Sequence, residues 1–144
     1  MNLPQSTHRL FDEPKDVTMI TIDPDGSPQA ALVWVGRDGD DLLIGVEERH
    51  RKTRNLRRDP RITLVVQDDR ISPRGLTQYL VVRGTAKLEG PGNRQQYKAL
   101  MDRLSRKYLG ADEFPFGNEE VYAGATVVRV IVERVTGEGP WVVR

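Results

Sequence analysis

The sequence predicts one mainly β domain of the α+β class, an antiparallel barrel or sandwich with its main helices on the outside. Three observations predict it. β-Branched and aliphatic runs recur along the chain, clusters of Asp, Gly and Pro punctuate them, and only one segment carries a clear helical face. The 144 residues suffice for a single core that buries roughly two thirds of the unfolded surface. The whole chain, 1–144, reads as one domain without linker, repeat or low-complexity tract.

In chain order, Val17 to Ile22 is a strand, Asp23-Pro24-Asp25-Gly26 supplies turn chemistry, and Gln29 to Val35 returns as its hairpin partner. Arg37-Asp38-Gly39-Asp40 makes the next turn and Leu42 to Val46 the third strand of a meander. A short cationic helix starts near His50 or Arg51 and stops by Asp59, because Pro60 disfavours helical geometry in its predecessor. Arg61 to Gln67 resumes a strand, Asp68 to Gly75 reads as polar loop, and Tyr79 to Leu88 is another strand, ended by Gly90-Pro91-Gly92. Tyr97, Leu100, Met101, Leu104 and Tyr108 then fall on one face of a helix. Phe114 to Gly117 is irregular, Ala125 to Val135 is a long strand, and the tail from Gly137 to Arg144 carries Trp141. Six or so strands and two main helices result.

Composition narrows the function classes. An apolar fraction of 38%, a charged fraction of 30% and a net charge of +1 describe a globular, soluble chain with no overall bias toward nucleic acid or membranes. Zero cysteines exclude disulfides, thiol catalysis and thiolate metal sites, and favour a cytoplasmic setting. The N-terminal residues lack the pattern of an export signal, and no apolar run is long enough to span a bilayer. The sequence contains no dinucleotide, P-loop, nucleophile-elbow or zincin motif, and the two histidines, His8 and His50, cannot form a histidine-rich metal site. No metal is expected, and no catalytic residue can be named. The doublets Glu47-Glu48 and Asp68-Asp69 point to opposite sides of an extended chain and read as solvated loop rather than as acid/base pairs.

The strongest local signal is Arg49-His50-Arg51-Lys52-Thr53-Arg54-Asn55, between a strand and a short helix. Unpaired N–H groups in a first helical turn and the helix dipole suit an anion, to which Arg adds a fork and Lys a point charge. A basic solvated helix face explains the same residues equally well. A nucleic-acid surface is the weaker reading, since acidic residues dilute the patch and no aromatic platform interleaves with it.

Several landmarks together resemble a known family. They are Thr21 to Gln29, Val33-Trp34, Arg51 to Arg61, Val82-Arg83-Gly84-Thr85-Ala86, Leu104 to Tyr108 and Arg134-Val135. The chain resembles the flavin-binding split-barrel proteins related to pyridoxamine 5'-phosphate oxidase, and within them the actinobacterial branch of deazaflavin (coenzyme F420) dependent reductases. The resemblance implies an antiparallel split β-barrel with two or three peripheral helices, a homodimer with the cofactor at its interface, and a small-molecule substrate.

It also implies site residues. Gln29, Leu32, Val33 and Trp34 would line the cofactor ring, Gly45 and Val46 would approach it from the next strand, Arg51, Lys52, Thr53 and Asn55 would bind its phosphate, and Tyr79 would sit at the edge. Leu32, Val33, Val46 and Trp34 could equally be packing residues. Gly45-Val46 departs from the Ser-Thr of many relatives, and Glu47-Glu48 sets two negative charges beside the anion site. Arg54, Arg57 and Arg58 extend the positive surface in a way that suits the longer polyanion of the deazaflavin, with flavin mononucleotide (FMN) as the alternative cofactor. In either case the cofactor would carry hydride to an unsaturated or conjugated-carbonyl small molecule and the protein would orient it, the further alternative being a non-catalytic protein that only binds the flavin or deazaflavin.

Overall fold

The computed structural model describes residues 1–143; Arg144, the last residue of the tail, lies outside them. Strands occupy Val17–Ile22 (β1), Pro28–Val33 (β2), Gly36–Asp38 (β3), Asp41–Glu47 (β4), Arg61–Ile71 (β5), Thr77–Glu89 (β6) and Ala125–Glu138 (β7). Helices occupy His8–Asp12 (α1), Arg51–Arg58 (α2), Arg94–Leu109 (α3) and Glu119–Ala123 (α4), with a 3-10 turn at Gln5–Thr7 before α1. No helix among the described residues is long and apolar enough to cross a membrane.

All strands join one antiparallel sheet in the order β2-β1-β5-β6-β7-β4-β3. Its two edges, β2 and β3, are consecutive in the chain and separated only by Trp34 and Val35. In a flat sheet those edges would lie roughly 29 Å apart, six spacings of about 4.8 Å, whereas such a link reaches about 11 Å. The sheet therefore curls until its edges approach, which is the split barrel the resemblance implies.

Alternation along the strands builds two packed layers. Val17 and Met19 of β1, Leu42, Ile44 and Val46 of β4, Leu64 and Val66 of β5 and Val128 and Val130 of β7 fill the barrel, with Leu10 and Phe11 of α1 and Trp141 of the tail packed into the same core. On the outside, Tyr97, Leu100, Met101 and Leu104 of α3 cover Ala125 and Val127 of β7, with Leu43 of β4 beside them. Helix α3 thus forms where the sequence predicts it and buries the predicted face.

The differences from expectation have local causes. The predicted strand Gln29 to Val35 is cut at Val33, and the predicted turn at Arg37 and Asp38 is strand β3, paired to β4 through Gly36–Leu43 and Asp38–Asp41. The first half of the predicted loop from Asp68 to Gly75 is strand, because Asp68 is buried in place of an apolar residue and breaks the visible period. The tight turn is confined to Ser72 through Leu76, where the Ser72 N–H donates to the Leu76 carbonyl at 2.8 Å.

Gly84, within one of the family landmarks, serves the sheet itself. The β6–β7 register slips between Arg83 and Gly84, and a Cβ built on Gly84 would stand 2.3 Å from the Ile131 carbonyl oxygen. The nearest obstructing atoms belong to the paired strand's backbone, which cannot yield as a side chain would. Gly84→Ala is expected to destabilise the fold by about 1–3 kcal/mol, the range for overpacking. Urea unfolding checks this, and a change below about 0.5 kcal/mol would show that the bulge relaxes freely.

Candidate cofactor site

One cleft gathers residues from six parts of the chain. It measures about 360 Å³ and is bounded by Leu32 and Val33 of β2, Trp34, Gly45 of β4, Lys52 of α2, Met101 of α3, and Phe114 and Phe116 of the α3–α4 loop, with Asp16 at its margin. Of the residues singled out in the sequence, Leu32, Val33, Trp34, Gly45 and Lys52 thus meet here.

The apolar wall is held in place from α3. The Trp34 ring stacks on Tyr108 with centroids 5.3 Å apart and planes 5° from parallel. Tyr108 is itself fixed, since its hydroxyl donates to the Lys15 carbonyl at 2.9 Å and accepts the Val35 N–H at 3.3 Å. Phe114 meets Tyr97 edge to face at 6.2 Å, and Phe116 meets Phe114 in the same way at 5.7 Å. Leu32 is 72% exposed and Phe116 64%, so the rim is apolar and open on one side. Gly45 has a packing reason: a Cβ there would come within 2.5 Å of the Met101 sulfur and 3.1 Å of Tyr97, so a serine at this position would displace α3 side chains.

Lys52 is the polar feature of the cleft. No carboxylate lies within 4.0 Å of its ammonium among the described residues, and Nζ stands 3.4 Å from Nδ1 of His50. Burial pushes its pKa down, opposed by the Glu47 charge. Burial, followed by the Lys52 charge, also lowers the pKa of His50, keeping the imidazole neutral at neutral pH. Its Nδ1 accepts the Glu47 N–H at 3.2 Å, so the ring proton sits on Nε2, 3.4 Å from a Glu47 oxygen. The N–H groups of Arg51 and Lys52 open α2 without an acceptor among the described residues. A half-buried cation with no carboxylate in direct contact among the described residues, set in the open first turn of α2, stabilises an anionic group entering the cleft.

The other basic residues have partners inside the chain. Arg51 pairs bidentately with Asp23, through Nε at 2.8 Å and a shorter Nη2 contact. Arg57 binds Glu48 at 2.9 Å, Arg61 binds Asp59, Arg49 binds Glu47 at 2.9 Å, and Arg58 donates to the Ile22 carbonyl and to Asn55. Glu47 and Glu48 are thereby compensated, the latter also by the Thr126 hydroxyl at 2.9 Å, so the acidic doublet does not oppose an anion at Lys52.

Several predicted residues act within the framework. The Thr53 hydroxyl donates to the Glu47 carbonyl at 2.7 Å. Asn55 donates to Thr21 and Asp23, and Thr21 donates to Gln29, which ties α2 to the β1–β2 hairpin. Val46 points into the barrel core, and Tyr79 is exposed on β6, where its carbonyl accepts from Trp141 at 3.1 Å, outside the cleft. Met101, Phe114 and Phe116 line the cleft without having been singled out as site residues. Two phenylalanines in an irregular, otherwise polar stretch are the signal that could have found the latter pair.

The fold has solved counterparts. One is an F420 reductase, 24% identical, with a TM-score of 0.72 over 92% of this chain and 98% of that one. A conserved hypothetical protein from Mycobacterium tuberculosis is 19% identical, with a TM-score of 0.68 over 93% and 83% of the two chains. General stress protein 26 from Bacillus anthracis is 12% identical, with a TM-score of 0.59 over 89% and 87%. The family model for pyridoxamine 5'-phosphate oxidase matches residues 3–138, nearly the full barrel and both layers of its core, and the chain belongs to that family.

Proposed function

We propose that the protein is an F420-dependent oxidoreductase that delivers hydride to an electron-poor double bond or conjugated carbonyl of a planar small molecule, working as a homodimer. Lys52 carries the reading: among the described residues it is a half-buried cation with no carboxylate within 4.0 Å, in the wall of a largely apolar cleft. Leu32, Val33 and Trp34 suit the flat face of a tricyclic ring, and Lys52 with the first N–H groups of α2 suits its phosphate. A bound deazaflavin would supply the hydride chemistry. The chain's own residues then position the ring against the strand, fix its phosphate and keep water from the apolar wall. Phe114 and Phe116 would hold a planar substrate over the ring. The apolar rim at Leu32 and Phe116 supports closure of the site by a second copy.

One observation favours FMN as a second reading. Of the three arginines that would extend the positive surface toward a long polyanionic tail, Arg57 is neutralised by Glu48, whereas Arg54 and Arg58 donate only to neutral acceptors. This shortens the positive surface beyond a single phosphate. Titration of the purified protein with both cofactors, followed by fluorescence, distinguishes the two. Saturable F420 binding with negligible FMN binding is expected. The reverse result would assign FMN, and indifference to both would rule out each reading.

A further inference from the structure

A second cavity, of about 580 Å³ and sharing no lining residue with the first, lies between α1, β3 and the C-terminal half of α3. Arg37, Arg103, Arg106 and Lys107 surround it, and Asp12 is its one acidic residue. Asp12 is already matched, bound bidentately by Arg37 at 3.1 Å through each contact. Arg103, Arg106 and Lys107 have no carboxylate within 4.0 Å among the described residues.

The fold places these cations deliberately. Arg103 lies across the backbone of Gly36, where a Cβ would be 2.4 Å from its Nη2, and it donates to the Arg37 carbonyl at 2.9 Å. Arg106 donates to the Asp112 carbonyl at 3.0 Å. The Lys107 ammonium donates to the Phe11 and Val35 carbonyls at 2.5 Å each, which leaves it one N–H. Each side chain is therefore oriented by a neutral acceptor and keeps unused donors and its full charge. Cations late in a helix complement its dipole, but that effect is available to an exposed lysine and does not require a half-buried one. Burying an ammonium without a counter-charge is unfavourable unless an anion relieves it.

We propose that this cavity is an anion site, separate from the Lys52 cleft, that takes the phosphate or diphosphate group of a small molecule. Arginine forks and a lysine point charge converging from different directions match an anion with several charged oxygens better than a single carboxylate. The burial that pushes the Lys107 pKa down to about 8 would be offset once such a group is bound. Phe11 and Leu104 give the same cavity an apolar wall for any organic part.

The test uses the full chain carrying Lys52→Ala, which silences the cleft, with inorganic pyrophosphate as the probe in isothermal titration calorimetry. Saturable binding is expected, weakened at least about tenfold by adding Arg103→Gln and Arg106→Gln. Both arginines are exposed, and thermal melting verifies that the variant folds. Asp12→Asn moves the result the other way, strengthening binding by removing the one negative charge. Adenosine diphosphate in parallel separates two sources: tighter binding than pyrophosphate assigns a phosphate carried on an organic group, and equal or weaker binding assigns the free anion. Absence of saturable pyrophosphate binding in the Lys52→Ala protein, or unchanged affinity after the arginine substitutions, overturns the proposal.

Discussion

Lys52→Ala is expected to weaken binding of the phosphate-bearing cofactor by about 1.5–3 kcal/mol, roughly 10- to 150-fold in Kd, while the protein stays folded. The size follows from the environment rather than from charge alone. A solvent-exposed lysine would contribute little to an ion pair, but Lys52 is partly desolvated, and among the described residues no carboxylate lies within 4.0 Å of its ammonium. Arg51→Ala separates site from framework. Arg51 already holds Asp23, which also accepts from Asn55, so its removal should act first on the junction of α2 with the β1–β2 hairpin. Lys52→Ala should therefore lower affinity at nearly constant stability, and Arg51→Ala should lower stability along with affinity. Fluorescence titration and urea unfolding on the two variants read both quantities. If Lys52→Ala leaves affinity within about twofold, the phosphate lies elsewhere.

That contrast shows what was legible in the sequence and what was not. The run from Arg49 to Arg61 reads as one basic patch, because the residues that neutralise it are brought near by folding: Asp23 lies in a hairpin turn and Glu48 in the turn after β4. Strands with plain alternation, such as β1, β4 and the first half of β5, and the helix with an apolar face, α3, follow from local pattern. Strand β3 does not, since Arg37 and Asp38 carry turn-forming chemistry and become strand only because β4 is paired beside them. Helix α1 is five residues long and owes its existence to burial of Leu10 and Phe11 in the barrel mouth, a tertiary effect without a periodic signature. The cleft was half legible. Its β2, β4 and α2 walls followed from the order of family landmarks, whereas Phe114 and Phe116 arrive from a loop whose path no periodicity describes.

Asp68→Ala is expected to cost about 3–5 kcal/mol of stability, the largest effect of any substitution proposed for this protein, because it removes the buried carboxylate shared by Arg9 and Lys15 and leaves them only the longer contacts to the exposed Glu13 and Asp69. The Asp68 side chain is fully buried in β5. It accepts from both ends of the Arg9 guanidinium, from Gln78 at 3.1 Å and from the Asp69 N–H at 2.9 Å, and Lys15 Nζ lies 3.5 Å away. Arg9 and Lys15 are only 23% and 14% exposed, so neither charge is returned fully to water when the carboxylate is deleted. The Arg9 hydrogen bonds, more than any other contact, hold the Asp68 carboxyl well below the usual carboxylate range. A lowered folded-state pKa means that the unfolded chain takes up the proton first. The contribution is complete above the ordinary aspartate value of about 3.9 and is lost as pH falls through the lower folded value. Wild-type protein should therefore lose stability on acidification below about pH 4, and Asp68→Ala should remove the Asp68 share of that loss while the share of Asp23, Glu48, Asp59 and Asp102, whose values are also lowered, remains. At neutral pH the variant's melting midpoint should lie on the order of 10–20 °C lower. The loss also reaches the cleft: Arg9 anchors α1, and Lys15 precedes Asp16 at the cleft margin and supplies the carbonyl that fixes Tyr108 behind Trp34. Asp68→Asn keeps the shape and an acceptor and should recover part of the stability. A drop below about 1 kcal/mol for the alanine variant would mean that Arg9 and Lys15 find water or Asp69 instead.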